Sequence, residues 1–244
     1  YRDYGFAEVF SSLKRAPESL GEQIAAIPGV DRVALRVLAP ARIDIPGFHD
    51  PVTGLLVSAP RPGRGELNRL YLRAGRLMDP ARNDEVVIGD AFAEAHGFQP
   101  GDRLGVIIDG KRKQLRIVGI ALSPEFVYQI GPGAIFPDFA RFGVLWMAHD
   151  ALDTAYDMDG AFNNVALTLT RGANEADTID RLDALLERYG GLGAYGREDQ
   201  VSHRFLSEEF KQLEQMGRTF SVIFLGVSAF LLNMVMSRLI GTQR

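Results

Sequence analysis

The chain has 244 residues, 46% of them hydrophobic and 24% charged, a globular composition that excludes wholesale disorder and collagen-like repeats. Its net charge of −4 leaves no basic excess to neutralise a phosphate backbone, so a nucleic-acid partner is not expected. Cysteine is absent, which excludes disulfide frameworks, thiolate zinc sites, iron–sulfur clusters and cysteine nucleophiles.

Residue 1 is Tyr rather than Met, which predicts a processed chain or an excised fragment. Phe6 to Lys14 alternates apolar and polar residues and predicts a strand. Pro17 is then expected to open a short helix in which Leu20, Ile24 and Ile27 recur at steps of four and three. Pro28-Gly29 ends it, and Val30 to Leu38 predicts a second strand, which completes a β-α-β unit.

The next stretch has a different grain. Pro40, Pro46, Pro51, Pro60 and Pro62 punctuate its start. Strands are predicted at Leu55 to Ser58, Glu85 to Ile88, Arg103 to Ile108, Gln114 to Ala121 and Gly143 to Met147. Asp109-Gly110 is a strong hairpin turn, and Asp90 to His96 predicts one short helix stopped by Gly97. Trp146 with Phe142, Leu145 and Met147 reads as core. Tyr128 to Asp138 is a Gly/Pro loop, in which Tyr128, Ile130, Ile135 and Phe136 are either an exposed apolar partner site or, the favoured reading, buried loop anchors.

A second β-α-β unit follows. Asn164 to Thr170 alternates, with Val165, Leu167 and Leu169 on one face. Asn174 to Tyr189 predicts an amphipathic helix with Ile179, Leu182, Leu185 and Leu186 on one stripe. Gly190-Gly191 stops it, and Leu192 to Tyr195 is a short last strand. Two such units are compatible with a split, ferredoxin-like arrangement.

From Val201 to Met216 the apolar positions 201, 205, 206, 210, 213 and 216 share a helical face. Thr219 to Ser237 then runs for nineteen residues without a charge. As a helix it would cover about 28 Å, close to the roughly 30 Å hydrocarbon core of a bilayer. Arg218 and Arg238 stand at its ends, where long cations reach the interface. A buried core helix is the disfavoured alternative, because such helices are rarely apolar on every face. Gly226, Ser228 and Asn233 are the small and polar positions that would meet another helix in a membrane. Arg238 and Arg244 follow the run closely, which leans its C-terminal end toward the cytoplasm. Gly217 is the one soft point between stripe and run, so both a single long helix and two helices kinked there remain open.

No motif announces catalysis. Gly191 to Gly196 matches G-x-G-x-x-G as a string, but follows a helix instead of opening one and reads as a turn. Asp157-Met-Asp-Gly160 lacks the third acidic position and the final Glu of a calcium loop. The histidines, His49, His96, His149 and His203, show no pair at i, i+4. His149 lies near Asp150 and Asp153 and reads as a solvated or capping residue at a helix start. Nucleophile-elbow and P-loop strings are absent. No catalytic, cofactor-binding or metal-binding residue is therefore expected, and no ATP hydrolysis by the chain itself.

The order of elements and the stretch EVVIGDAFAEAHGFQPGDRLGVIIDGKRKQLRIVGIA resemble the FtsX-like ABC transporter permeases of the MacB and LolC/LolE type. The matching pieces are the EVV strand at Glu85 to Ile88, the Gly-x-x-x-Gly-Asp turn at Gly97 to Asp102, and the hairpin ending at Ile117 to Ile120. The IPGV turn at Ile27 to Val30 and the end SRLIGTQR also look like that family. These are structural turns and strands, so they speak for fold more than for cargo.

The resemblance implies an α+β fold. A split porter-like lobe would occupy residues 1–40 and 163–200, a β-rich inserted lobe 41–162, an amphipathic stalk 201–218 and a transmembrane helix 219–240. It implies a mechanical role (efflux, or lipoprotein or lipid transport) and a cytoplasmic ABC ATPase subunit on a separate chain. It further implies a permease homodimer or heterodimer, a periplasmic adaptor, and the bacterial inner membrane with residues 1–218 outside the cytoplasm. Stalk pairing would use Phe205, Phe210, Leu213 and Met216. The span would use Phe220, Ile223, Leu225, Phe230, Leu231 and Val235. Two alternatives are a single-pass membrane-anchored adaptor or binding protein without an ATPase, and a membrane-anchored hydrolase using carboxylates.

Overall fold

The computed structural model of the protein describes residues 4–59, 67–134 and 136–242, and the side chains of 214, 222 and 235–242 are likewise left undescribed. Pro60, Pro62, Ile135 and Arg244 therefore lie outside the described residues, and Val235 and Arg238 are placed by backbone alone. In chain order the elements begin with β1 (Val9–Pro17), α1 (Leu20–Ala25), β2 (Val30–Arg36), β3 (Leu38–Asp44), β4 (Val52–Ser58), β5 (Tyr71–Gly75), β6 (Glu85–Gly89) and α2 (Asp90–His96). They continue with β7 (Arg103–Ile108), β8 (Lys111–Leu122), β9 (Phe142–Met147), α3 (His149–Ala155), β10 (Ala161–Leu169), α4 (Glu175–Leu186), β11 (Ala194–Gly196) and α5 (Val201–Thr242). Two compact units result, Tyr1–His203 and Arg204–Arg244.

The first unit is α+β and holds two sheets. One has the order β11-β1-β10-β2, antiparallel at every pairing. The alternation in its strands gives it two different faces. Val9, Val165 and Leu167 pack with Leu20, Ile24, Leu182 and Leu186 of α1 and α4. The other face carries Phe10, Ala34 and Ala166. It also carries Arg36 and Asn164, which are direct cross-strand partners.

The other sheet has seven strands in the order β5-β8-β6-β9-β4-β3-β7, and β7 also pairs with β8. The pairings thus close a ring through β8, β6, β9, β4, β3 and β7, which removes free edges from those strands. Long β8 makes this possible, because its first half pairs with β7 and its second with β6. The larger core fills this sheet, with Leu56, Ile88, Phe92, Val106, Ile117 and Leu145 fully buried. Phe142, Leu145, Trp146 and Met147 are in it as expected.

Several predicted elements shift. Pro17 ends β1 opposite Ala161, and the helix starts only at Leu20. The strand β3 runs through Pro40, one of the prolines that punctuate this stretch. Leu38 donates its N–H to Asn163 Oδ1 at 2.7 Å, and the Pro40 carbonyl accepts from the Tyr156 hydroxyl at 2.7 Å. Both residues thus turn their polar groups away from β4, and β7 pairs only from Arg42 onward, so the missing N–H of Pro40 breaks no ladder bond. The Asp109-Gly110 turn is as expected, with both φ values positive (46° and 73°) and Ile108 paired with Lys111.

The second unit is formed by α5 from Arg204 onward, and the helix's 42 residues run through Gly217 without interruption. The alternative of two helices kinked at Gly217 is therefore corrected. Among the described residues α5 is the one helix long and apolar enough to cross a membrane, and none of the apolar window is buried against the rest of the chain.

Candidate functional site

A buried polar junction forms on the second face of the four-stranded sheet. The alternation of β2 and β10 sets Arg36 beside Asn164, and the guanidinium donates to Asn164 Oδ1 at 2.9 and 2.6 Å. Arg36 also grips Glu125, which follows β8, through two parallel bonds of 2.5 and 2.9 Å. Asn68 donates to Glu125 at 2.6 Å and accepts the Ala7 N–H at 2.8 Å. Charge, fork geometry and amide partners satisfy one another, which is the condition for burying such groups.

The same junction holds the root of α5. Gln200 donates from Nε2 to the Glu125 carbonyl at 2.6 Å and accepts the His203 N–H at 2.7 Å. The second bond satisfies one of the helix's otherwise unpaired N-terminal donors. Ser202 accepts the Tyr128 N–H at 2.9 Å. Burial, and then the Arg197 charge, hold the His203 imidazole below its ordinary range. Beside the junction lies a cleft of about 600 Å³, lined by Arg36, Glu125, Val57, Met78, Trp146 and His149 among others.

His149 corrects the reading of a solvated or capping residue. Its side chain is only 5% exposed, and Nε2 lies 3.3 Å from Glu18 Oε1 and 3.3 Å from Asp153 Oδ2. Asp153 is one helical turn along α3, and Glu18 follows β1. The three side chains form a group of metal-ligand type. The i, i+4 spacing of His149 and Asp153 was present in the sequence, but a search for paired histidines passes over a His–Asp pair.

Glu85, the first residue of the EVV strand, is fully buried and meets Arg76, Arg116 and Arg82 at 2.6, 2.7 and 3.2 Å. The Arg76 hydrogen bonds, offset in part by burial and helped by the Asp79 N–H and Arg116, hold its carboxyl down at about 2. This is a structural clasp at the base of β5, β6 and β8. The Gly191 to Gly196 string forms a turn and β11, and Asp157 to Gly160 is a turn with positive φ at both ends. In the loop after β8, Tyr128 and Ile130 are half-buried while Phe136 is 74% exposed, so the loop is only partly an anchor.

The residues singled out on α5 fall as follows. Phe210, Leu213 and Met216 are exposed, and Phe205 is half-buried. Phe220, Ile223, Leu225, Phe230 and Leu231 are exposed, as are Gly226, Ser228 and Asn233. None of them is brought to the polar junction, whose members Arg36, Asn68, Glu125, Asn164 and Gln200 the sequence did not single out. Their partners are up to 128 positions apart, and no local spacing records such pairs.

No family model and no curated protein matches the chain. Among solved structures it is similar to the extracellular domain of the noncanonic ABC-type transporter YknZ from Gram-positive bacteria, at 12% identity and a TM-score of 0.47, over 78% of this chain and 98% of that one. It is also similar to the periplasmic region of MacB from Actinobacillus actinomycetemcomitans, at 10% identity and a TM-score of 0.48, over 86% of this chain and 95% of that one.

Proposed function

We propose that the chain is the outer-side domain and one membrane span of an ABC-type permease subunit. It couples ATP hydrolysis by a separate cytoplasmic ATPase to movement of the outer domain. The observation that carries this reading is the continuity of α5. One helix begins at Val201, in a turn fastened by Gln200 and Ser202, and continues through the nineteen uncharged residues Thr219 to Ser237. An unbroken hydrogen-bonded helix passes on displacement that a flexible linker would absorb.

In this reading residues 219–240 span the bacterial inner membrane and residues 1–218 lie outside the cytoplasm. Phe220, Ile223, Leu225, Phe230, Leu231 and Val235 belong to the span, with Gly226, Ser228 and Asn233 toward neighbouring helices. Two permeases pair through Phe205, Phe210, Leu213 and Met216, and a periplasmic adaptor meets the outer domain. Residues 1–40 and 163–200 form the split ferredoxin-like lobe and 41–162 the inserted β lobe. The order β11-β1-β10-β2, with α1 and α4 as crossovers, supports the first, and the passage to the second sheet between Arg36 and Leu38 supports the division.

The test is co-purification of the full-length gene product from detergent. The expected result is a stable complex with an ATPase subunit whose hydrolysis rate changes when the outer domain is deleted. A lone single-span protein without an ATPase would overturn the proposal and leave the membrane-anchored adaptor.

A further inference from the structure

We propose that the cleft of about 600 Å³ in the first unit binds an uncharged apolar molecule that carries an ester or amide carbonyl. Its walls are apolar, with Val57, Leu70, Leu77, Met78 and Trp146 among them. Small-molecule sites of this size pair such walls with a few placed polar groups. Here those groups are Arg36, Ser58, Asn68 and Ser123, all between 1% and 8% exposed.

Each of the four keeps a proton to give. Ser58 Oγ accepts the Val37 N–H at 2.8 Å, Ser123 Oγ accepts the Glu125 N–H at 3.3 Å, and neither hydroxyl donates to a described residue. Asn68 spends one of its two amide protons on Glu125. Arg36 spends its Nε proton, both Nη2 protons and one Nη1 proton, which leaves the second Nη1 proton. The indole Nε1–H of Trp146 is a fifth donor. It has no acceptor among the described residues although Trp146 is only 4% exposed, and a buried indole N–H ordinarily finds one. What the cleft lacks beside these donors is an acceptor. Glu125 is already engaged by Arg36 and Asn68, and Asp150 is exposed.

Charge narrows the class of ligand. The Arg36 charge is answered by Glu125. Arg69 and Asp150, both exposed, add one charge of each sign, and His149 faces Glu18 and Asp153. A carboxylate in the cleft would bring a second negative charge beside buried Glu125, at the cost of desolvating it there. A neutral carbonyl oxygen accepts two hydrogen bonds without that cost. An apolar chain attached to it gains by covering the walls, which water alone would leave wet.

Trp146 makes the test direct. It is the one tryptophan of the chain, so its fluorescence reads this cleft. The full chain in lipid nanodiscs is titrated with ethyl bromohexanoate, bromohexanoate and bromohexane, whose bromine quenches an indole only on close approach. The ester should quench saturably, and the carboxylate and the bromoalkane should bind at least fivefold more weakly. Ser123→Ala should weaken the ester about fivefold, the scale of one net hydrogen bond. It should leave bromohexane unchanged, which separates a lost donor from a damaged fold. Leu77→Asp, at a wall position 52% exposed, should weaken both the ester and bromohexane while the unfolding temperature stays near that of the wild type. Absence of saturable quenching would mean that the cleft holds only water and would overturn the proposal. Ester quenching unchanged in Leu77→Asp would overturn it too, by placing the probe elsewhere. A carboxylate or bromoalkane that binds as tightly as the ester would overturn the assigned chemistry.

Discussion

Arg36 and Glu125 face each other as a two-pronged ion pair whose side chains are 7% and 6% exposed. One comes from β2 and the other from the segment after β8, so the pair fastens the second face of the four-stranded sheet to the segment that leaves β8 of the ring. Asn164, Asn68 and Gln200 complete the set, and Gln200 carries it into the first turn of α5. Replacing Arg36 by Met removes the charge that Glu125 answers and leaves a buried carboxylate. The expected loss is about 3–5 kcal/mol, the usual cost of breaking one partner of a buried pair. The double variant Arg36→Met, Glu125→Leu should be markedly milder than either single change. Urea unfolding of the four members of this cycle checks both statements.

Acid should act on the clasp around Glu85. The folded carboxyl titrates at about 2, against an ordinary value of 4.5. A lowered folded value means that the unfolded chain takes up the proton first. The stabilisation from Glu85 is therefore full above pH 4.5 and is lost as the pH falls from 4.5 toward 2. Glu85→Gln keeps the shape but not the charge. It should lower stability at pH 7 by about 1–3 kcal/mol and flatten the stability curve between pH 4.5 and 2. Unfolding midpoints across that range for both proteins measure the difference.

Two glycines in the stretch that carries the resemblance should respond differently to alanine. At Gly119 in β8 an added Cβ would lie 2.3 Å from the Arg76 carbonyl oxygen, which is backbone and cannot swing aside. Gly97 ends α2 in the left-handed region at φ 71°, with open space around it. Gly97→Ala meets only the backbone preference, about 1 kcal/mol. Gly119→Ala forces β5 and β8 apart and should cost more than about 2 kcal/mol, as overpacking does. Thermal unfolding of the two variants side by side tests the order.

What the sequence disclosed follows from the range of the forces involved. Arg103–Ile108 and Asp90–His96 were legible to the residue, because alternation, a hairpin turn and a glycine stop are written within a few positions. β3 was not, since Pro40 signals a break unless its neighbours in space are known. β5 was missed because five residues that pair only with β8 carry little pattern. The Arg36–Glu125 pair joins positions 89 apart, and Glu18 meets His149 only after the chain has built both sheets. Strand order, ring closure and the long-range buried polar contacts belong to this second kind. The stripe and the uncharged run of α5 belong to the first.

That stripe gives the last prediction. Phe210, Leu213 and Met216 are 63%, 62% and 45% exposed and recur at steps of three, so they share a helix face. The triple change to Ser removes exposed apolar surface from α5. Unfolding of the unit Tyr1–His203 within the full chain should stay within about 0.5 kcal/mol of the wild type, as for surface changes away from special features. If the stripe pairs two permeases, the same variant should lose its dimer in detergent and uncouple the ATPase rate from the outer domain. Light scattering and the ATPase assay on one preparation read both effects. A variant that keeps dimer and coupling would remove the stripe from the pairing surface without touching the stability argument, because the two rest on different atoms. The distinction is physical: stability of the first unit depends on what α5 buries in its first turn, whereas the proposed pairing would depend on what it leaves exposed afterwards.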